Sequence, residues 1–180
     1  MAWTPQVGST TLVNRLGEAG AVDVLVRLLA GTVRGPDLVL TPYLGVLLDI
    51  GDGHAERLMS DESGRRLDYW PRVWAARALA YVGNKTAGSA LLAALGDDHW
   101  RVRMMAIQTV GRLGIEGATL ELVDRLNDEH PRVRSAAVLA LERVGTEEAV
   151  ERLLRQWATG SQRTRAERAV ARIIERADDA

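Results

Sequence analysis

Hydrophobic residues along the chain follow a repeating helical pattern. Three segments align without gaps, each begins with an arginine, and their starts lie 31 residues apart, at Arg72, Arg103 and Arg134. After each arginine come an alanine at the third position, a small residue at the sixth, aliphatic residues at the seventh and tenth, and a glycine at the eleventh. These offsets place the apolar side chains on one helix face, and glycine commonly ends a helix. Each segment is therefore predicted to form one helix.

A second apolar helix is predicted after each of these glycines. Its apolar residues recur at offsets of four, five and eight, which again define one helix face. The predicted core positions, in three consecutive repeats, are Ala87, Leu91, Leu92 and Leu95; Ala118, Leu122, Val123 and Leu126; and Ala149, Leu153, Leu154 and Trp157. Small residues on the first helices should let neighbouring helices approach to about 8–10 Å.

Weaker copies of the pattern flank these three repeats. The predicted helix-ending glycines are Gly17, Gly51, Gly83, Gly114 and Gly145. Thr41 and Pro42 have the residue types of a helix start, as do Thr164 and Glu167 in a capping-box pattern. The approximate predicted repeats are 1–35, 36–67, 68–97, 98–128 and 129–160, followed by a terminal helix over 161–180. We expect one all-α domain over 1–180, an α-solenoid (superhelix) of antiparallel helical pairs.

The sequence from Asp128, DEHPRVRSAAVLALERVGTEEAVERLLRQW, resembles a known repeat. It is similar to the short bacterial HEAT-like repeat that is named after phycobilisome lyases, and the similarity is strong over 68–160. The resemblance implies HEAT-type pairs whose second helices line a concave face. It also implies a protein-binding scaffold, because most members of the family serve as scaffolds. A minority attach bilin chromophores, which leaves a chromophore lyase as a remote alternative.

Composition excludes several kinds of chemistry. The net charge is −1, so the overall charge favours neither nucleic acid nor anionic membranes as a partner. Cysteine is absent, so disulfides and thiolate chemistry are excluded. No apolar run of transmembrane length and no signal-peptide pattern is present, so we expect a cytoplasmic protein. His99 and His130 occupy equivalent positions, which puts them about 10 Å apart, too far to share a zinc ion. No catalytic constellation is present, and we expect no metal, cofactor or catalytic residues.

Three aromatic residues are candidates for partner binding. Tyr69 and Trp100 occupy equivalent positions before successive first helices, and Trp70 follows Tyr69. They could form a substantially exposed aromatic ridge that anchors a partner. Alternatively, each packs against its neighbouring loop.

Polar positions on the second helices are further candidates. The positions outside the core stripe are Leu120, Glu121, Asp124 and Arg125 in one repeat, and Glu151, Arg152, Arg155 and Gln156 in the next. These side chains form either a solvated face or a partner-binding groove.

Arginines on the terminal helix form another candidate surface. Arg165, Arg168, Arg172 and Arg176 are spaced to share one helix face. They either keep the outer face of the last repeat soluble or dock an acidic partner or nucleic acid.

The repeated arginines at 72, 103 and 134 could bind an anion. However, Asp97 and Asp128 precede two of the first helices at the same spacing. We therefore favour a structural role, in which each arginine bridges that carboxylate or the preceding loop.

Two main function classes remain open. The leading hypothesis is a non-catalytic scaffold or adaptor for an unidentified protein partner. The alternative is a nucleic-acid binder that resembles HEAT-like DNA-alkylation-repair glycosylases in architecture. Glutamates on the second helices disfavour the alternative, because a nucleic-acid groove would be basic.

Overall fold

The computed structural model describes residues 4–31, 43, 69–156 and 163–179. Within these ranges the regular secondary structure is helical, and the fold class is all-α as predicted. The chain divides into two compact units, Met1–Ala94 and Leu95–Ala180. A single repeat domain over 1–180 stays a prediction.

Three α-helices lie wholly within the described part of the first unit. They are α1 (Pro5–Leu29), α2 (Tyr69–Val82) and α3 (Gly88–Ala94), and a 3-10 turn, Lys85–Ala87, leads into α3. Thr4 caps α1 by accepting a hydrogen bond from the Val7 N–H at 3.3 Å. Helix α1 packs along α2 and also contacts α3.

The described part of the second unit contains five α-helices. They are α4 (Trp100–Leu113), α5 (Thr119–Asp124), α6 (Pro131–Val144), α7 (Glu148–Gln156) and α8 (Arg163–Asp178), and a 3-10 turn, Arg125–Asn127, extends α5. Helix α4 packs against α6, and α6 packs against α8. Helix α5 contacts both α6 and α7. The first helices of successive repeats are therefore neighbours, and so are the second helices α5 and α7.

Glycines mark the predicted helix ends. Gly17 interrupts α1 with a φ of 71° and a ψ of 169°, and Gly114 ends α4 with a φ of 63°. Gly145 ends α6 in an extended conformation with a φ of −66°. At Gly145 the requirement is space, since a Cβ there would lie 2.6 Å from the Leu141 carbonyl oxygen. Predicted boundary residues at Gly51, Thr41 and Pro42 lie outside the described residues.

The predicted core is buried in both units, with one exception. Of the predicted second-helix positions that the structure describes, all are buried or half-buried except Leu154, which is 48% exposed. Burial of Leu154 was a wrong prediction, because the contacts of α7 with α5 and α8 cover its Ala149 and Leu153 side instead. Trp157 lies outside the described residues.

Small residues allow close helix packing in the second unit. A Cβ added at Gly111 on α4 would lie 3.0 Å from the Cα atom of Ala140 on α6. Ala140 is one of the positions predicted to be small. The close approach of α4 and α6 therefore depends on the absence of larger side chains.

The start of the terminal helix differs from the prediction. Helix α8 already includes Arg163, so Thr164 lies inside the helix and does not cap it. The Glu167 carboxylate accepts a hydrogen bond from Nε of Arg163 at 2.7 Å, one turn earlier. An ion pair therefore replaces the expected capping box.

Across the described ranges, no helix is long and apolar enough to cross a bilayer.

Candidate partner-binding surfaces

Helices α4 and α6 begin with the same Asp-x-His loop. The Asp97 carboxylate accepts a hydrogen bond from the His99 N–H at 2.8 Å, and Asp128 does the same for His130 at 2.9 Å. Each histidine then caps its helix, since its Nδ1 atom accepts from the backbone N–H two residues later, at 3.3 Å for His99 and 3.2 Å for His130. The two equivalent histidines are therefore helix caps, a role that sequence analysis missed.

Arg103 is the most thoroughly bonded side chain at these loops. Its Nε and Nη2 atoms donate to both carboxylate oxygens of Asp128, at 2.7 Å and 2.9 Å. Its Nη1 atom donates to the carbonyl oxygens of Asp97 and Asp98, and Nη2 also reaches Glu129 at 3.1 Å. All five N–H groups of the guanidinium are thus engaged. The side chains of Arg103 and Asp128 are 7% and 3% exposed, so this ion pair is buried.

The expected structural role of the repeated arginines is confirmed at Arg103, with one correction. Arg103 bonds the preceding loop as predicted, but the carboxylate it binds belongs to the following repeat. Asp97, from its own repeat, contributes a backbone carbonyl to Arg103. Arg134 also bonds its preceding loop, at the carbonyls of Asp128 (2.7 Å) and Glu129 (3.0 Å). Its guanidinium pairs with no carboxylate within the described ranges, and the position 31 residues after Asp128 holds Thr159.

The surroundings of Asp128 keep it ionised. Burial raises the pKa of its carboxyl. The hydrogen bonds from Arg103 and the His130 N–H, together with the charges of Arg103 and Arg125, lower the pKa by a larger amount. The net pKa lies below the ordinary value of 3.8. The hydrogen bond to Asp128 raises the pKa of Arg103 against the opposing effect of burial. Both groups are therefore charged at neutral pH, and the pair holds the α4 and α6 loops together.

Trp100 is part of a stack that joins two repeats. Its ring lies parallel to that of His130, with centroids 3.8 Å apart and planes within 5°. The guanidinium of Arg101 lies 4.4 Å from the Trp100 ring centroid. The guanidinium of Arg132 lies 5.8 Å from the same centroid, so the Trp100 ring has both a stacked imidazole and cations within cation–π distance. Trp100 is half-buried, and the indole is less exposed than expected for a ridge.

Tyr69 and Trp70 are also half-buried. They lie in the first unit at the start of α2, and their ring centroids are 5.2 Å apart at an angle of 31°. Substantial exposure was therefore a wrong prediction for these two residues as well. Contact of the three aromatic residues with a partner stays a prediction.

The outward positions of α5 and α7 are exposed as expected. Glu121, Asp124, Arg152 and Arg155 are exposed, whereas Arg125 is half-buried. Arg125 donates to the Leu95 carbonyl at 3.3 Å, and Arg155 forms an ion pair with Glu151. We define the second-helix face as Glu121, Asp124, Glu151, Arg152 and Arg155. Its charge is reversed at equivalent positions, from Glu121 to Arg152 and from Asp124 to Arg155. The buried Ala118 and Leu122, in contrast, recur as Ala149 and Leu153.

The arginines of α8 do not form one uniform row. Arg168 and Arg172 are exposed, and Arg172 pairs with Glu175 at 3.2 Å. Arg176 instead donates to the carbonyl oxygens of Glu142 (2.6 Å) and Gly145 (2.7 Å) at the end of α6. The side chain of Arg165 is outside the described part. Arg168, Arg172 and Arg176 are all exposed in the described part of this row, but the guanidinium of Arg176 bonds the end of α6.

Neither these loops nor the helix faces gather metal ligands. Within the described ranges, no three His, Asp or Glu side chains come together in a group that could hold a metal ion.

Comparison with protein families agrees with the observed repeats. The family model described as HEAT repeats matches residues 65–130 and again residues 114–173, which together cover more than half of the chain. A search of curated proteins found no match. The chain belongs to the HEAT-repeat family, and its fold is of the α-solenoid class.

Proposed function

We propose that this chain is a non-catalytic scaffold or adaptor that binds a protein partner through its second-helix face. HEAT repeats are commonly protein-interaction scaffolds, and the family is typically non-catalytic. The observation that carries the proposal is the contrast between core and surface in α5 and α7. Ala118 and Leu122 are repeated as Ala149 and Leu153 and are buried, whereas exposed Glu121 is replaced by Arg152.

This contrast favours recognition of a specific partner. A repeat needs its buried residues for stability, so these recur in each repeat. Exposed residues have no such requirement, and a row of differing charges gives a surface that selects its partner by charge complementarity. The mixture of Glu121, Asp124, Arg152 and Arg155 disfavours a nucleic-acid groove, which would be uniformly basic.

Two finer assignments belong to the same proposal. The 31-residue spacing supports the short bacterial, phycobilisome-lyase-type subgroup of HEAT-like repeats. The absence of cysteine and the near-neutral net charge are compatible with a cytoplasmic location. The aromatic residues Tyr69, Trp70 and Trp100 remain secondary candidates for partner contact.

Site-specific photocrosslinking tests the second-helix face. A benzophenone amino acid is placed at Glu121 or Arg152 on that face, and at exposed Gln108 on α4 as a control. In extract of the native host, the first two positions should give a crosslinked protein band that excess unlabelled chain competes away. Equal crosslinking at Gln108, or no competed band at either test position, would contradict the proposal. Crosslinked material sensitive to nuclease would support the nucleic-acid alternative instead.

A further inference from the structure

An open groove lies in the second unit where first helices pass into second helices. It has a volume of about 950 Å³, and residues from the ends of α4, α6 and α8 and the starts of α5 and α7 line it. Gly114, Gly117 and Gly145 lie in the joining loops and contribute no side chains to its walls.

The groove has an apolar lining that includes one strongly exposed leucine. Leu120 is 63% exposed, and Val144 and Ile173 line the groove beside it. Ser89 and Glu151 stand at the equivalent positions of the neighbouring repeats, and both are exposed. The side chain at this repeat position is thus exposed in all three repeats, but only the repeat that lines this groove has a leucine there. Together with Val144 and Ile173, Leu120 gives the groove an apolar lining, and an apolar surface rimmed by polar residues is typical of a binding site.

The rim of the groove is predominantly acidic. Glu116, Glu147 and Glu148 are exposed, and their carboxylates form no ion pair within the described residues. Of the two arginines at the groove, Arg176 donates to carbonyl oxygens at the end of α6, where it offsets the partial negative charge of the helix terminus. Arg176 keeps its positive charge, so Arg143 and Arg176 together face three carboxylates, and the groove lining has a net charge of −1. The groove therefore favours a positively charged occupant.

We propose that this groove binds a peptide segment of a partner protein in which an apolar side chain is flanked by lysine or arginine. The apolar side chain would pack on Leu120, and the basic side chains would pair with Glu116, Glu147 and Glu148. The inference rests on the proposed scaffold function and adds the chemical class of the partner segment. It places that segment at the loops between helices, beside the second-helix face.

A labelled peptide provides a direct test. The probe is a fluorescein-labelled helical peptide of leucine and lysine, about 14 residues or four turns long, and the readout is its anisotropy with the whole chain. Leu120→Ser, which introduces the residue of the equivalent position 89, should weaken binding about tenfold. Glu116→Lys should weaken binding about fivefold at low salt, and less at high salt.

Matched controls separate the groove from general charge attraction. Asp23→Lys makes the same charge change on exposed α1, outside the groove lining and the second-helix face, and should alter the affinity less than about twofold. A peptide with glutamine in place of leucine should bind about tenfold more weakly than the leucine peptide. Equal binding of the two peptides, or an equal loss in Asp23→Lys and Glu116→Lys, would overturn the proposal. So would a wild-type dimer that Leu120→Ser dissociates, because the occupant would then be a second copy.

The peptide and crosslinking experiments can fail separately. A competed crosslink at Glu121 and Arg152 without peptide binding would leave the scaffold function in place and reject the groove as its basic-peptide site. Groove-specific peptide binding with equal crosslinking at Gln108 would support the groove and reject the second-helix face.

Discussion

Arg103 and Arg134 occupy the same position in consecutive repeats, but their surroundings differ. Arg103 combines loop carbonyls with a bidentate bond to a buried carboxylate, whereas Arg134 is half-buried and bonds carbonyls only. Removing one partner of a buried ion pair leaves the other charge uncompensated, and this loss is much larger than the net value of the pair. The arginine at this repeat position should therefore contribute more to the free energy of unfolding at Arg103 than at Arg134.

We predict that Arg103→Met lowers the free energy of unfolding by about 3–5 kcal/mol, because Asp128 loses its counter-charge. Arg134→Met should lower it by only about 1–2 kcal/mol, the value of hydrogen bonds from a charged group. Urea denaturation of the two variants measures the difference. Equal losses would show that the Arg103–Asp128 pair has no special role.

Asp128 should make stability depend on acid. Its pKa is lower in the folded chain than in the unfolded chain, so its contribution is complete above the ordinary pKa of 3.8 and disappears as pH falls through the folded value. We predict that the free energy of unfolding falls more in the wild type than in Asp128→Asn between about pH 5 and about pH 3. Denaturation curves across this interval provide the test, and parallel losses would contradict the assignment.

Gly145 connects α6 to α7 and lies against its surroundings too closely for a side chain. A Cβ would lie 2.6 Å from the Leu141 carbonyl oxygen and 3.1 Å from Cδ1 of Ile173. Its φ of −66° is one that alanine adopts without strain. Any cost of Gly145→Ala therefore reports two close contacts, with the α6 backbone at Leu141 and with Ile173 of α8, and does not report an unfavourable φ.

We predict that Gly145→Ala destabilises the chain by about 1–3 kcal/mol through overpacking. Gly117→Ala is the comparison, because a Cβ there meets nothing within 4 Å while its φ of 75° is unfavourable for alanine. It should cost about 1–2 kcal/mol from conformation alone. Adding Ile173→Val to Gly145→Ala should recover part of its loss of stability, whereas adding Ile173→Val to Gly117→Ala should recover none. Thermal unfolding of the single and double variants measures both effects.

Sequence periodicity predicted the helices but not the bonds between their loops. The apolar offsets and the glycines at 17, 83, 114 and 145 located helix faces and ends, because these depend on neighbours within one or two turns. The bond from Arg103 to Asp128 joins residues 25 positions apart, whereas the repeat spacing alone paired Arg103 with the carboxylate of Asp97. His99 and His130 as caps were missed because histidine is not a preferred cap residue, although the repeated Asp-x-His pattern was visible.

The candidate surfaces were harder to predict than the fold. Exposure of Glu121 and Arg152 followed from the helix period, but the half-burial of Trp100 depends on a stack with His130 from the next repeat. The groove around Leu120 requires three loops and the end of α8 to meet. Such an arrangement depends on tertiary packing, which one sequence without its fold does not specify.

The chain as a whole should behave as an array of locally coupled repeats. In a repeat protein, stability is approximately a sum of terms within repeats and between neighbours. Leu141 is fully buried on α6, which contacts α4, α5 and α8. Leu139 lies on the same helix but is 43% exposed, so it provides a matched control for the same substitution.

Hydrogen exchange of Leu141→Ala tests whether the chain is such an array. The substitution should cost about 2–5 kcal/mol, with Leu139→Ala costing much less. We expect amide protection to fall in α4, α5, α6 and α8 while α1 keeps the protection it has in the wild type. An equal loss of protection in α1 and α6 would show a single cooperative globule and contradict the repeat account.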